Sequence, residues 1–116
     1  MKRLTAEQML IVNLRAPGTY SKKEHKAAAG FSAFEVLRWN RDLPDAEPYS
    51  KGEHKAAQGF DAYAARRWNL RLLNAEQYTK QEHSAARGFG AVEARCWNEE
   101  LPNAEQYTEA EIEEIK

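Results

Sequence analysis

Self-similarity constrains this chain more than any other feature. Tyr20, Tyr49, Tyr78 and Tyr107 are spaced 29 residues apart each time, with no insertion. Aligned on them, the three full copies, 20–48, 49–77 and 78–106, agree at 14 of 29 columns. The invariant columns include His25/His54/His83, Gly30/Gly59/Gly88, Phe31/Phe60/Phe89 and Trp39/Trp68/Trp97. A fourth copy starts at Tyr107 and runs to Lys116. A period this short yields one supersecondary unit, too small to bury its own apolar face, so the copies must pack on one another.

Each copy carries two helix signals. Ser21-x-x-Glu24 has the spacing of a capping box and recurs as Ser50/Glu53, Thr79/Glu82 and Thr108/Glu111. The hydroxyl accepts the backbone N–H three residues on, while the Glu side chain reaches back to the cap N–H. A first helix therefore starts near residue 22 and is expected to end at Gly30, where glycine accepts a left-handed C′ position. Ser32, Asp61 and Gly90 can all act as N-caps for a second helix, and Ser32-x-x-Glu35 reads as another capping box. This second helix runs to about Leu43, with Pro44 and Pro102 ending it in two copies. Asn74 and Asn103 are placed to cap a further short turn, Ala-Glu-Gln. The competing reading is one long helix through the glycine, which would cost about 1 kcal/mol per copy relative to alanine.

Val36, Trp39 and Leu43 share one face of the second helix, whereas Phe34, Tyr63 and Val92 point elsewhere, which suggests packing between neighbours. Residues Thr5 to Leu14 form an apolar helix capped by Thr5 with Gln8 and stopped at Pro17-Gly18. Thr108 to Lys116 turns Ile112 and Ile115 inward and four glutamates outward. The expectation is an all-α single domain, 1–116. Three tandem helix-turn-helix repeats stack as a short solenoid or compact bundle. An N-terminal capping helix lies in 1–19 and a C-terminal cap in 107–116.

Hydrophobic residues make up 42% and charged residues 30%, a folded rather than disordered composition. Cys96 is the only cysteine, so no intramolecular disulfide forms, no paired zinc spacing exists, and a cytoplasmic setting is expected. No apolar run spans a membrane, and Met9–Val12 is too short for a signal-peptide core behind Lys2 and Arg3. Net charge is −1 but unevenly spread: residues 1–77 hold 13 Lys/Arg against 9 Asp/Glu, and 78–116 hold 4 against 9. A polyanion would prefer the first two-thirds of the chain.

The stretch Glu24 to Trp39, with Gly30, Phe31, Ser32, Val36, Arg38 and Trp39, resembles the helix-turn-helix of excisionase and MerR-type DNA-binding domains. The likeness covers about 20 residues per unit. It weakens where Val36 becomes Ala65 and Ala94 and where the Arg38 column holds Cys96. The β-wing of those families has no counterpart in the period.

The resemblance implies a small protein that binds duplex DNA, of the kind phages and mobile elements carry, with the second helix in the major groove. The residues it would use are Arg38, Arg41, Lys51, Lys55, Arg66, Arg67, Arg71 and Arg95, contacting base edges or phosphates. The bland alternative for these is a solvated face paired to nearby glutamates. The other functional reading is a helical-repeat module or inhibitor that binds a protein partner, with the acidic C-terminal face as its surface.

The periodic histidines sit five residues after each Tyr and read as hydrophobic staples. Ile112 at the same column permits that role and not a metal-ligand role. The tryptophans read as core anchors whose indole N–H needs a partner. No nucleophile with an arranged base, no phosphate loop and no isolated carboxylate pair is visible, so neither enzyme activity nor a cofactor or metal is expected.

Overall fold

A computed structural model describes residues 4–115; residues 1–3 and 116, with Lys2, Arg3 and Lys116, lie outside the described part. The described chain is all-helical, with no strand among its residues. Ten-residue and six-residue helices alternate: α1 Ala6–Arg15, α2 Lys22–Ala27, α3 Ala33–Asp42, α4 Lys51–Ala56, α5 Ala62–Arg71, α6 Lys80–Ala85, α7 Ala91–Glu100 and α8 Glu109–Glu114. None of them is long and apolar enough to cross a membrane. The chain divides into two compact units, Met1–Gly59 with α1–α4 and Phe60–Lys116 with α5–α8.

The helix starts follow the sequence signals. Thr5, Ser21, Ser50, Thr79 and Thr108 each form a reciprocal capping box with the Gln or Glu three residues on. Two backbone donors are satisfied at each start, which lets a six-residue helix persist. The expected box at Ser32 is only half made. The Ser32 hydroxyl accepts the Glu35 N–H at 3.4 Å, but the Glu35 carboxylate turns inward to the buried His25 ring.

The chain does break at the glycine, but the short helix ends three residues before it. The short helix ends at Ala27, with Ala28 already extended, and Gly30 has φ +81°. The Phe31 N–H donates to the Ala28 carbonyl at 3.3 Å, so Ala28 to Phe31 is a β-turn with glycine at its third position, the type II pattern. Phe89 N–H to Ala86 O repeats it around Gly88, φ +82°. Ala16-Pro17-Gly18-Thr19 makes the same turn at the end of α1, with Gly18 at φ +84° and Thr19 N–H on Ala16 O at 3.2 Å.

No helical turn forms at the asparagines. The segment after each long helix is a turn, pinned in the third copy by Gln106 Nε2, which donates to the Leu101 and Ala104 carbonyls at 2.9 Å. Proline is not needed to end the long helix: α5 stops at Arg71 before Leu72-Leu73, just as α3 stops at Asp42 before Leu43-Pro44.

The packed pair is a long helix followed by a short one: α1 on α2 and α3 on α4 in the first unit, α5 on α6 and α7 on α8 in the second. Long helices also pack side by side, α1 with α3 and α5 with α7. The register is set by one recurring bond. The first N–H of a long helix donates to the carbonyl just before a glycine turn: Ala6 to Ala29 O and Ala33 to Gln58 O at 2.9 Å, and Ala62 to Arg87 O at 2.8 Å. Ala6, Ala33 and Ala62 are fully buried there, which explains why the column tolerates only a methyl group. By this bond α1 is itself a copy of the repeated long helix, an equivalence not evident from the sequence.

Candidate interaction surface

The invariant columns build a framework. Trp39, Trp68 and Trp97 are buried, and each indole N–H donates to a backbone carbonyl eight residues on, Glu47, Glu76 or Glu105, at 2.9 Å. Asn40 clamps the following Tyr: its Nδ2 donates to the Tyr49 carbonyl, and its Oδ1 accepts the Tyr49 N–H, both at 2.8 Å. Asn69 holds Tyr78, Asn98 holds Tyr107 and Asn13 of α1 holds Tyr20 in the same way. An amide pairing with both backbone groups of an incoming residue copies one rung of a sheet ladder and leaves no buried polar group unmet.

The histidines are core residues, though not staples to their own tyrosines. His25 stacks on Trp39 with ring centroids 4.6 Å apart, and its Nδ1 lies 2.7 Å from the hydroxyl of Tyr49, the tyrosine of the next copy. Its Nε2 lies 3.3 Å from Glu35. His83 repeats this with Trp97, Tyr107 and Glu93. A hydroxyl can reach an imidazole nitrogen, and that polar match outweighs the looser apolar contact of a staple. Burial pushes the His83 pKa down despite the Glu93 carboxylate, which favours the neutral ring at pH 7, and the Tyr107 hydroxyl also donates to the Lys80 carbonyl at 3.0 Å. Burial alone lowers the His54 pKa to about 4. The tyrosine hydroxyls are pushed up, first by burial. No group of three His, Cys, Asp or Glu among the described residues could hold a metal ion.

The eight basic candidates differ in what holds them. Arg66 is 5% exposed, and its guanidinium donates to both Glu93 oxygens at 2.9 Å and to Glu100. The hydrogen bonds that Arg66 donates to Glu93 hold the Arg66 pKa up and the Glu93 pKa down. It is a tie between α5 and α7. Arg38 bridges to Glu7 of α1 at 3.3 Å and Glu35 at 3.6 Å, and Arg41 grips Asp42 through two bonds of 2.9 and 3.1 Å. Arg67 lies over the Tyr63 ring, 5.9 Å from its centroid. Lys51 is half-buried and Lys55 exposed on α4. Arg71 and Arg95 are exposed on α5 and α7. On the short helices, Lys22 and Lys80 are also committed, to Glu53 at 3.1 Å and to Glu111 at 2.9 Å. Bonds from the Ser50 backbone, then from Lys22 and Lys26, hold the Glu53 pKa down near about 2.

The residues that differ between copies have their own order. Three variable columns of the long helices turn largely inward, with Glu35, Val36, Leu37, Ala65, Arg66 and Ala94 buried; the other four are Phe34/Tyr63/Val92, Arg38/Arg67/Cys96, Arg41/Leu70/Glu99 and Asp42/Arg71/Glu100, at spacings of four, three and one. Those steps lie on one helical face, opposite the invariant Ala, Trp and Leu. Phe34, Tyr63 and Val92 do not pack against neighbours as expected: they are 61%, 53% and 72% exposed. Ile11 and Leu14, on the matching face of α1, are 39% and 48% exposed. The chain has six exposed large apolar side chains among the described residues, and five stand on the equivalent face of their own helix, two units contributing separately; Leu73 is the sixth. Sequence reasoning passed over Ile11 and Leu14 because α1 lacks the Tyr-to-Tyr period that aligns the others. The signal that could have found the face was the spacing of the variable columns.

A groove of about 270 Å³ in the first unit runs beside Leu14, between Pro17 and Pro44. In the second unit a groove of about 500 Å³ lies beside Leu70 and Leu73, against Trp97 and Leu101. No family model matches the chain, and neither a curated protein nor a solved structure matches it.

Proposed function

We propose that the chain is a helical-repeat recognition module whose partner is a protein, met by the variable face of the long helices. One observation carries this reading. Among the described residues, five of the six exposed large apolar side chains stand on the equivalent outer face of their own long helix, and three of them, Phe34, Tyr63 and Val92, share a column in which the copies differ, while Ala33/Ala62/Ala91 and Trp39/Trp68/Trp97 on the packed side do not change. Invariance serves packing. Variation combined with exposed apolar area serves contact, because such area gains free energy only when a partner covers it. The arginines support the same reading: Arg38, Arg41 and Arg66, three of the eight basic candidates for a phosphate backbone, are paired with intramolecular carboxylates. A single cysteine suits a reducing, cytoplasmic setting.

Capture from the lysate of a cell that makes the protein, with and without nuclease, tests the reading. The expected result is a protein partner retained after nuclease treatment and lost with Phe34→Gln plus Tyr63→Gln. Tight binding to duplex DNA that falls steeply with salt, with no protein retained, would overturn it and restore the DNA reading.

A further inference from the structure

We infer that the face formed by α5 and α7 in the second unit takes an acidic peptide segment of the partner, one that also carries apolar side chains. This rests on the recognition-module reading and names the chemistry of the partner at one place.

Uncompensated charge around apolar area supplies the argument. Arg67, Arg71 and Arg95 stand on α5 and α7, and no carboxylate among the described residues lies within ion-pair distance of them. The neighbouring Arg66 is by contrast engaged by Glu93 and Glu100, so the four arginines of α5 and α7 divide into one structural tie and three with no ion pair to a described residue. Tyr63, more than half exposed, lies against two of the four, with the Arg66 and Arg67 guanidinium carbons 5.1 and 5.9 Å from its ring centroid. A guanidinium held against a ring is pre-organised, so it loses less freedom on binding, and its fork matches a carboxylate. Val92 adds apolar area on the adjacent helix.

A duplex is the less suitable occupant. The second unit carries seven Lys/Arg against eleven Asp/Glu, and Glu99 and Glu100 are exposed on α7 itself. A phosphate backbone, with one charge per ~1.7 Å of helix axis, would meet those carboxylates. A peptide can place a few carboxylates opposite the three arginines and an apolar side chain on Tyr63 and Val92.

The test is selection from a random-peptide display library on the full chain, followed by titration of the selected peptides. The matched proteins are wild type, the triple variant Arg67→Gln/Arg71→Gln/Arg95→Gln, and Phe34→Gln in the first unit. These side chains are exposed or half-exposed, and thermal melting confirms that each variant folds. The expected result is enrichment of peptides bearing Asp or Glu beside aromatic or aliphatic residues. Affinity should fall about tenfold or more in the triple variant, as loss of charged hydrogen bonds requires, and fall less in Phe34→Gln. Peptides without acidic bias, or peptides sensitive to Phe34→Gln and not to the triple variant, overturn this inference while leaving the recognition module standing. Failure to select any peptide, with or without binding of a short DNA duplex, overturns it too; binding of the duplex through the same arginines removes the module reading as well.

Discussion

At the residue scale, the central object is a buried histidine ring between a tryptophan, the next copy's tyrosine and, in two copies, a carboxylate. Its protonation state couples the fold to pH. The His54 pKa is lowered to about 4, and that of His83 is also lowered, both chiefly by burial. Between about pH 6.5, where an unfolded histidine titrates, and about 4, the unfolded chain binds protons that the folded chain refuses. Stability is therefore full above pH 6.5 and is lost as pH falls through that window. For His54 alone the loss is up to roughly 3 kcal/mol, at 1.36 kcal/mol per unit. Chemical denaturation at pH 7 and pH 5 should show the drop, and His54→Gln should flatten it. Glu53, held near about 2, acts in a lower window: its contribution is present at pH 5 and disappears only as pH falls toward 2.

At the element scale, two glycines test the account with opposite signs. Gly30 has φ +81°, and a Cβ there would meet nothing within 4 Å. Gly30→Ala should therefore cost only the backbone penalty of a left-handed residue, about 1–2 kcal/mol. Gly52 lies inside α4 with ordinary φ, and its would-be Cβ meets only Ser50 Oγ at 3.7 Å. Gly52→Ala should stabilise by up to about 1 kcal/mol through helix propensity. Urea denaturation separates the two outcomes. Helix existence, order and N-termini were readable because capping boxes, turn glycines and the apolar period are local chemistry. The short-helix ends, the partner of each histidine and the inward turn of Glu35 were not, because they depend on groups brought together from the next copy. The Gly30 signal was read as a helix C′ and belongs instead to a type II turn, where the same positive φ is needed.

At the scale of the whole molecule, the repeat separates two tasks. The invariant Ala, Trp, Asn, Tyr and His columns hold the long and short helices of each unit together, and the variable Phe34/Tyr63/Val92 column leaves large apolar side chains in water. The candidate surface was only partly legible: the arginines were conspicuous in the sequence, but ion pairs reaching across helices, Arg38 to Glu7 and Arg66 to Glu93, decide which are available. Thermal unfolding of one combined variant, Ile11→Gln/Leu14→Gln/Phe34→Gln/Tyr63→Gln/Val92→Gln, measures the separation directly. Glutamine keeps helix propensity, and exposed substitutions away from the core change stability by only about 0.5 kcal/mol each. The account predicts a cooperative transition within about 10 °C of wild type. A larger fall, or loss of the cooperative transition, would mean that these side chains hold the fold together and are not a contact surface.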